Sequence, residues 1–186
     1  MSNTIKVWDL LIRIFHWSLV SMFLLAYVTE DHFLQVHSYA GYTILGLVIF
    51  RIIWGVIGTR YARFWQFVKS PSEVIAYLKD VIHFRAKRYI GHNPAGGAMI
   101  IALLISILLT SITGILLIGM QEGSGPLAAQ VADWPRWISK ALEEVHEFLA
   151  NFSVFLVVLH VAGVIIASFQ HNENLILSMW NGRKNN

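Results

Sequence analysis

The sequence EVHEFLANFSVFLVVLHVAGVIIASFQH, residues 144–171, determines the fold class of this chain. It is apolar over enough residues to cross a bilayer as one helix, which needs about 20 predominantly apolar residues. Two histidines interrupt it, His146 near its start and His160 fourteen residues later. At about 1.5 Å rise and about 100° per residue, their imidazoles lie on nearly the same helix face, roughly 21 Å apart. The stretch therefore predicts a membrane helix that carries, at each of two depths, a histidine that could bind a ligand.

The composition is typical of a membrane protein. Of the 186 residues, 56% are hydrophobic and 13% are charged, whereas soluble domains carry about a quarter charged residues. Cysteine is absent, which excludes disulfides, thiolate metal sites, iron–sulfur clusters and covalent c-type haem attachment. Histidine, with eight copies, is the abundant nitrogen ligand that remains. The net charge of +3 needs no nucleic-acid partner, because membrane topology explains the basic residues.

Three further apolar stretches complete an all-α, four-helix transmembrane bundle. We predict a single membrane domain over residues 1–186, surrounded by lipid, with spans at about 10–28, 37–58, 97–120 and 145–169. The first stretch resembles a signal peptide, but Arg13 and His16 interrupt its apolar core and no small-residue cleavage site follows. We therefore predict that it is a retained helix.

The Lys and Arg residues predict the orientation in the membrane. The connection between the second and third spans carries seven of them, the first connection carries none, and the third carries only Arg136 and Lys140. Because cytoplasmic loops are enriched in Lys and Arg, we expect both termini and the basic connection in the cytoplasm. Within that connection, the pattern Ser70-Pro71-Ser72-Glu73 indicates a helix start. It predicts a short amphipathic helix, Glu73 to about Phe84, on the cytoplasmic membrane surface.

Four histidines sort into two pairs by depth. His16 and His160 lie about seven and nine residues from the cytoplasmic ends of their spans, whereas His37 and His146 begin the second and fourth spans on the outer side. Two opposed imidazoles suit bis-axial haem ligation, and a zinc site would need three or four ligands at one level. A single histidine of this kind is more often a buried polar residue of the bundle. Two depth-matched pairs, however, predict two haem sites.

The other four histidines lie in connections or at the ends of spans, and we predict that they are solvated or interfacial: His32, His83, His92 and His171.

Two arginines lie on the same helix faces as the histidines. Arg13 precedes His16 by one turn, and Arg51 follows His37 by fourteen residues. A buried arginine needs an anion, and the propionates of a haem provide one. The alternative is that both side chains extend to the cytoplasmic interface. For Arg51 the two interpretations have equal weight.

Three glycines on these helices, Gly41, Gly46 and Gly163, lie within a few turns of the paired histidines. Small residues let a porphyrin edge approach a helix backbone. They also permit close packing between membrane helices, which by itself is the better explanation.

Taken together, these segments resemble the four-helix di-haem cytochrome b superfamily, which includes bacterial cytochrome b-561 and the cytochrome b subunits of nickel–iron hydrogenases and formate dehydrogenases. The resemblance covers nearly the whole chain. The matching segments are VWDLLIRIFHW (7–17), HSYAGYTILGLVIFRIIWGVIG (37–58), RYIGHNPAGGAM (88–99), VHEFLANFSVFLVVLHVAGV (145–164) and HNENLILSMWNGRK (171–184).

The resemblance implies two haem b groups and a quinone site. It implies that His16 and His160 hold the inner haem, and that His37 and His146 hold the outer haem, which agrees with the pairing by depth. It also implies a quinone site near the inner haem. In formate dehydrogenase-like members an asparagine and a glycine at the start of the third helix contribute to that site, similar to Asn93 and Gly96 here.

The resemblance further implies a respiratory electron-transfer protein of the bacterial inner membrane. It would carry electrons between the quinone pool and a periplasmic partner, either a c-type cytochrome or an oxidoreductase subunit. The compact chain and its opening VWDLLIRIFHW are closer to small members paired with c-type cytochromes than to hydrogenase-associated ones. We expect an electron-transfer subunit rather than a stand-alone enzyme.

Two alternatives stay open. The first is a stand-alone superoxide:quinone oxidoreductase, which would need a cationic outer surface to attract the anion. The second is a non-redox membrane scaffold with buried polar histidines. Against the first, the outer connections contain mainly acidic residues, namely Glu30, Asp31, Glu122, Asp133, Glu143 and Glu144.

Overall fold

The computed structural model describes residues 4–30 and 32–185. Asp31, one of the acidic residues assigned to the first outer connection, lies outside the described residues. The helices and strands are β1 (Thr4–Lys6), α1 (Leu10–Thr29), α2 (Leu34–Ile57), a 3-10 helix (Arg60–Ala62), α3 (Phe64–Phe67), α4 (Pro71–Ile82), α5 (Pro94–Glu122), α6 (Ala128–Val131), α7 (Arg136–Gln170), α8 (Leu175–Asn181) and β2 (Arg183–Asn185).

Four helices, α1, α2, α5 and α7, are long and apolar enough to cross a membrane. They confirm the predicted all-α, four-helix transmembrane fold. The helices extend beyond the predicted spans, most of all at α7, which begins at Arg136 rather than near residue 145. A helix continues wherever its backbone hydrogen bonds continue, so it does not have to end where the apolar sequence ends.

The short helix α4 has the capping pattern that its sequence predicts, but it begins at Pro71, two residues before the predicted Glu73. The Ser70 hydroxyl accepts a hydrogen bond from the Glu73 backbone N–H at 3.3 Å. In return, the Glu73 carboxylate accepts one from the Ser70 N–H at 3.0 Å, and Pro71 occupies the first helical position. This reciprocal capping satisfies two backbone donors that the first turn leaves unpaired. The helix ends at Ile82, slightly before the predicted Phe84, whose φ of 55° is left-handed.

The chain forms two compact units. Unit 1 comprises Met1–His16, Phe50–Ala102 and Leu156–Asn186, and unit 2 comprises Trp17–Ile49 and Leu103–Phe155. Each of the four long helices contributes a segment to both units. In unit 2, α5 and α7 approach through small polar residues, where the hydroxyls of Ser106 and Ser153 hydrogen-bond at 2.8 Å. Small side chains that hydrogen-bond across the interface are typical of helix packing in membranes.

In unit 1 the two ends of the chain are paired. β1 and β2 form an antiparallel ladder, with Thr4 opposite Asn185, which the all-α prediction did not include. The backbone N–H groups of Val7 and Trp8 also donate to the carbonyl of Gly182, at 2.9 and 3.1 Å. Gly182 ends α8 with φ of 80°, and a Cβ there would lie 2.6 Å from the Trp8 carbonyl oxygen. The turn therefore requires glycine.

A buried ion cluster lies beside this ladder. The Glu173 carboxylate accepts a hydrogen bond from Arg88 and lies 3.5 Å from Lys184 Nζ. The Glu173 and Lys184 side chains are only 7% and 5% exposed. Burial by itself raises the pKa of Glu173, but the hydrogen bond from Arg88 and the charge of Lys184 outweigh it and hold that pKa below its ordinary value. The cluster thus keeps a carboxylate ionised in a nearly dry environment.

We expect Glu173→Gln to lower the free energy of unfolding by about 1–3 kcal/mol, because it leaves the Lys184 ammonium buried without an anion. The measurement is thermal unfolding in detergent, followed by tryptophan fluorescence. The matched control is Asp80→Asn, which removes the partner of Arg85 in an exposed pair at 2.8 Å. The control should cost less than about 1 kcal/mol. Equal losses in the two variants would contradict the assignment.

Candidate haem sites

The outer pair of histidines meets in unit 2. His37 on α2 and His146 on α7 have ring centroids 6.1 Å apart, and their planes are inclined by 72°. Two imidazoles that share one metal ion have ring centres roughly 6 Å apart, because each metal–nitrogen bond is about 2 Å and each nitrogen lies about 1 Å from its ring centre. The pair therefore has the spacing of two axial ligands.

Backbone carbonyls orient both rings. His37 Nδ1 lies 2.9 Å from the carbonyl oxygen of Ala26, and His146 Nδ1 lies 3.0 Å from that of Thr110. Since a carbonyl oxygen only accepts, the Nδ1–H of each ring is the donor, which leaves the Nε2 lone pair available. A carbonyl bond to the remote ring nitrogen is the usual way in which proteins orient a metal-binding histidine. Sequence reasoning identified neither Ala26 nor Thr110.

A second contact positions His146. The Thr113 hydroxyl lies 3.0 Å from His146 Nδ1. One residue further along α5, a Cβ on Gly114 would lie 3.0 Å from His146 Cε1. Glycine at this position lets the imidazole pack closely against α5. Because α5 is almost uniformly apolar, its sequence periodicity did not predict this contact with His146.

Open space lies beside the glycines that the sequence singled out. A Cβ built on Gly41 or Gly46 in unit 2, or on Gly163 in unit 1, would meet no atom within 4 Å. These glycines therefore do not provide close contact with a neighbouring helix, which was the alternative explanation for them. Gly46 and Gly163 are exposed, and Gly41 is half-buried.

The inner pair lies in unit 1. His16 on α1 and His160 on α7 are half-buried, and they are near enough to interact electrostatically. The structure thus groups the four histidines in the same two pairs as the prediction by depth.

Arg51 is buried in unit 1, with 3% of its surface exposed. Its guanidinium lies over the Phe64 ring at 4.8 Å and near the Phe67 ring at 6.0 Å. Its Nη1 is buried and has no hydrogen-bond partner. Phe64 and Phe67 belong to the connection that follows α2, so the Arg51 side chain is directed toward that end of the helix and is covered by aromatic rings there. A buried cation with an unused N–H fits the carboxylate of a haem propionate.

Arg13 has a different role. Its Nη1 donates to the backbone carbonyl of Trp180, and a Cβ on Gly182 would lie 3.3 Å from its Nε. The Arg13 side chain thus holds the end of α8 against α1, while its Nε is buried without a hydrogen-bond partner.

Asn93 and Gly96 are brought together by helix capping. The Asn93 side-chain oxygen accepts the Gly96 backbone N–H at 2.7 Å, and Pro94 begins α5. This is the usual geometry of an N-cap. The side-chain oxygen of Asn93 therefore already has a hydrogen-bond partner within the protein.

His92 is packed inside unit 1, although it was predicted to be interfacial. Its ring centre lies 4.5 Å from that of Trp8 and 4.7 Å from that of Phe67. Burial lowers the pKa of His92 to about 3, and the nearby positive charge of Arg51 acts in the same direction. Its Nδ1 is buried and has no hydrogen-bond partner. In the sequence, the only indication that His92 differs from the other interfacial histidines was its position directly before Asn93.

Four membrane-length helices with paired imidazoles are typical of membrane b-type cytochromes. More particularly, the family model for prokaryotic cytochrome b561 matches residues 7–182, and the chain belongs to that family.

Two curated relatives are similar over most of the chain. A probable Ni/Fe-hydrogenase B-type cytochrome subunit of Azotobacter chroococcum mcd 1 is 27% identical over 173 residues, which cover 86% of this chain and 69% of the relative. A protein of the same description from Rhizobium leguminosarum bv. viciae is 22% identical, over 98% of this chain and 89% of the relative. No solved structure matches the chain.

We expect Gly41→Leu to reduce the haem-to-protein ratio by about half, because the new side chain fills the space beside His37 that a porphyrin would occupy. No atom contacts that position, so helix content by circular dichroism should not change. Thr43→Leu, at an exposed position on the same helix, is the control and should keep its haem. Full haem content in Gly41→Leu would contradict this use of the open space.

Proposed function

We propose that this membrane b-type cytochrome holds two haems and passes electrons between the quinone pool and a redox partner on the outer face of the bacterial inner membrane. The observation that carries the proposal is the outer pair. His37 and His146 face each other at 6.1 Å, and the Nδ1–H of each donates to a backbone carbonyl. Each Nε2 is thereby prepared to bind an iron atom. A bound haem b supplies one-electron chemistry, and the protein supplies its ligation, burial and electrostatics.

For the inner haem we propose His16 and His160 as ligands and Arg51 as a propionate partner. The support is that both histidines lie in unit 1 together with the buried, incompletely bonded guanidinium of Arg51. Arg51 interacts electrostatically with the Asp9 carboxylate, but its Nη1 has no hydrogen-bond partner. A propionate oxygen would supply that hydrogen bond. Arg13 is the weaker propionate candidate, because one of its nitrogens already binds the carbonyl of Trp180.

The distribution of charge supports an orientation with both termini in the cytoplasm. Every Lys and Arg except Arg136 and Lys140 lies in unit 1, which includes both ends of the chain and the basic connection. Cytoplasmic segments next to membrane spans carry this excess of positive charge.

The outer partner is proposed from charge and from the relatives. The two curated relatives are described as hydrogenase subunits. The candidates for the outer partner are therefore an oxidoreductase subunit and a c-type cytochrome. The acidic residues of the outer connections that the structure describes are exposed: Glu30, Glu122, Asp133, Glu143 and Glu144. They favour a partner with a basic surface and disfavour attraction of superoxide. Membership of a cytochrome family argues against a non-redox scaffold.

Alanine substitutions test the pairing of the histidines. We expect His37→Ala and His146→Ala to remove one and the same haem, because either change leaves the iron with a single axial ligand. The double variant should therefore lose no more haem than either single variant. His16→Ala and His160→Ala should together affect only the other haem. The measurements are haem stoichiometry and reduced-minus-oxidised spectra of the purified protein.

The control for this series is His32→Ala, an exposed histidine in the first connection, which should keep both haems. Additive losses in the double variant would show that His37 and His146 do not share a haem. A wild-type protein without b-type absorption bands would overturn the proposed function itself.

We also propose that Asn93 and Gly96 contribute to a quinone site near the inner haem. Asn93→Asp should keep the helix cap, since a carboxylate oxygen also accepts the Gly96 N–H, but it removes the side-chain NH₂ donor. If that donor binds quinone, the KM for ubiquinone-1 should rise by about fivefold or more, while the thermal midpoint stays unchanged. Asn93→Ala, which loses both functions, is the comparison. An unchanged KM in Asn93→Asp would remove Asn93 from the site.

A further inference from the structure

We infer that His92 and Arg51 form a two-donor site for an oxygen acceptor of the group that binds in unit 1. The acceptor is either a propionate carboxylate of the inner haem or a quinone carbonyl. This inference rests on the proposed function, and it gives a binding role to His92, whose sequence position indicated an interfacial residue.

The orientation of the His92 ring is determined by its neighbours. It lies between Trp8 and Phe67, with ring centres 4.5 and 4.7 Å away and planes inclined by 45° and 56°. Both neighbours belong to the core, since Trp8 is 6% exposed and Phe67 2%. An imidazole that is contacted on both sides by buried rings cannot turn freely. Its Nδ1 therefore points in one direction before any ligand arrives.

Arg51 and His92 lie near the same aromatic ring. Phe67 contacts both, because the Arg51 guanidinium lies 6.0 Å from its ring centre and the His92 ring 4.7 Å. The two residues also interact electrostatically, and His92 interacts in the same way with His16 and His160. The proposed site thus adjoins the inner pair of histidines.

Each of these residues has an unused nitrogen. His92 Nδ1 and Arg51 Nη1 are both buried and have no hydrogen-bond partner. A buried polar group without a partner costs about 1–3 kcal/mol, and most such groups in proteins are satisfied. One oxygen-bearing ligand between them would remove both costs. A purely structural role for His92 would be better served by phenylalanine, which packs against Trp8 and Phe67 and carries no polar atom.

The protonation state of His92 suits a donor. Burial, together with the positive charges of Arg51 and Lys184, lowers the pKa of His92 to about 3, so the imidazole is neutral at physiological pH. A neutral imidazole has one N–H and one lone pair, and an oxygen acceptor selects the tautomer with the proton on Nδ1. Arg51 supplies the positive charge, and His92 supplies a second hydrogen bond without adding another charge.

The test compares His92→Phe with His92→Gln in the haem-loaded protein in detergent. The first variant keeps an aromatic ring between Trp8 and Phe67 but removes the donor, and the second restores an N–H. One measurement is the midpoint potential of each haem by redox titration, and the other is the KM for ubiquinone-1. The matched control is His171→Phe, since His171 is another unit 1 histidine whose Nε2 is buried without a partner.

If the acceptor is a propionate, His92→Phe should lower the ratio of reduced to oxidised inner haem, at fixed potential, by three- to tenfold. Tenfold corresponds to about 59 mV for a one-electron couple. The other haem and the KM should not change. If the acceptor is a quinone carbonyl, the KM should rise by a similar factor and the potentials should not change. Either result, with recovery in His92→Gln and no effect in His171→Phe, supports the site.

The inference is overturned if His92→Phe keeps both haems with an unchanged potential and KM, or if His92→Gln is as impaired as His92→Phe. If His92→Phe does not fold, an unchanged potential and KM in Arg51→Gln overturns the two-donor site. Failure of the proposed function has a different signature, namely a wild-type protein without two haems.

Discussion

The rest of this structure depends on one constraint, that polar groups inside a membrane must find their partners within the protein. The four long helices satisfy it for their own backbones. The last carbonyls of a helix have no partner within that helix. One of them, the carbonyl of Ala26 in the last turn of α1, accepts the Nδ1–H of His37. The hydrogen bond that pairs this imidazole thus also leaves its Nε2 lone pair available, as the proposed haem ligation requires.

The two units satisfy the constraint in different ways. In unit 2 the paired imidazoles are held by neutral oxygens of Ala26, Thr110 and Thr113. In unit 1 the buried polar groups include the guanidinium of Arg51 and the neutral ring of His92, each with an unused nitrogen. A buried cation stabilises an added electron nearby. The electrostatic environments of the two histidine pairs are therefore unequal, which is the property by which a protein tunes two chemically identical haems.

The ends of the chain contribute to the same arrangement. The turn at Gly182 brings the carbonyl of Trp180 to Arg13, one helical turn before His16. Trp8, which contacts His92, donates its backbone N–H to the same turn. Short segments outside the membrane spans thus position the side chains that surround the inner pair.

The sequence alone determined the four helices and the N-cap of α4 at Ser70, because apolar length and capping patterns are local properties. Helical spacing also predicted the two pairs of histidines. Only the tertiary structure decided that the Arg51 guanidinium lies over the Phe64 ring and that the His92 ring packs against Trp8 and Phe67. The hydrogen bond between Thr110 and His146 joins residues 36 apart in the sequence. Such contacts arise from packing between helices, and the periodicity of a single helix contains no information about them.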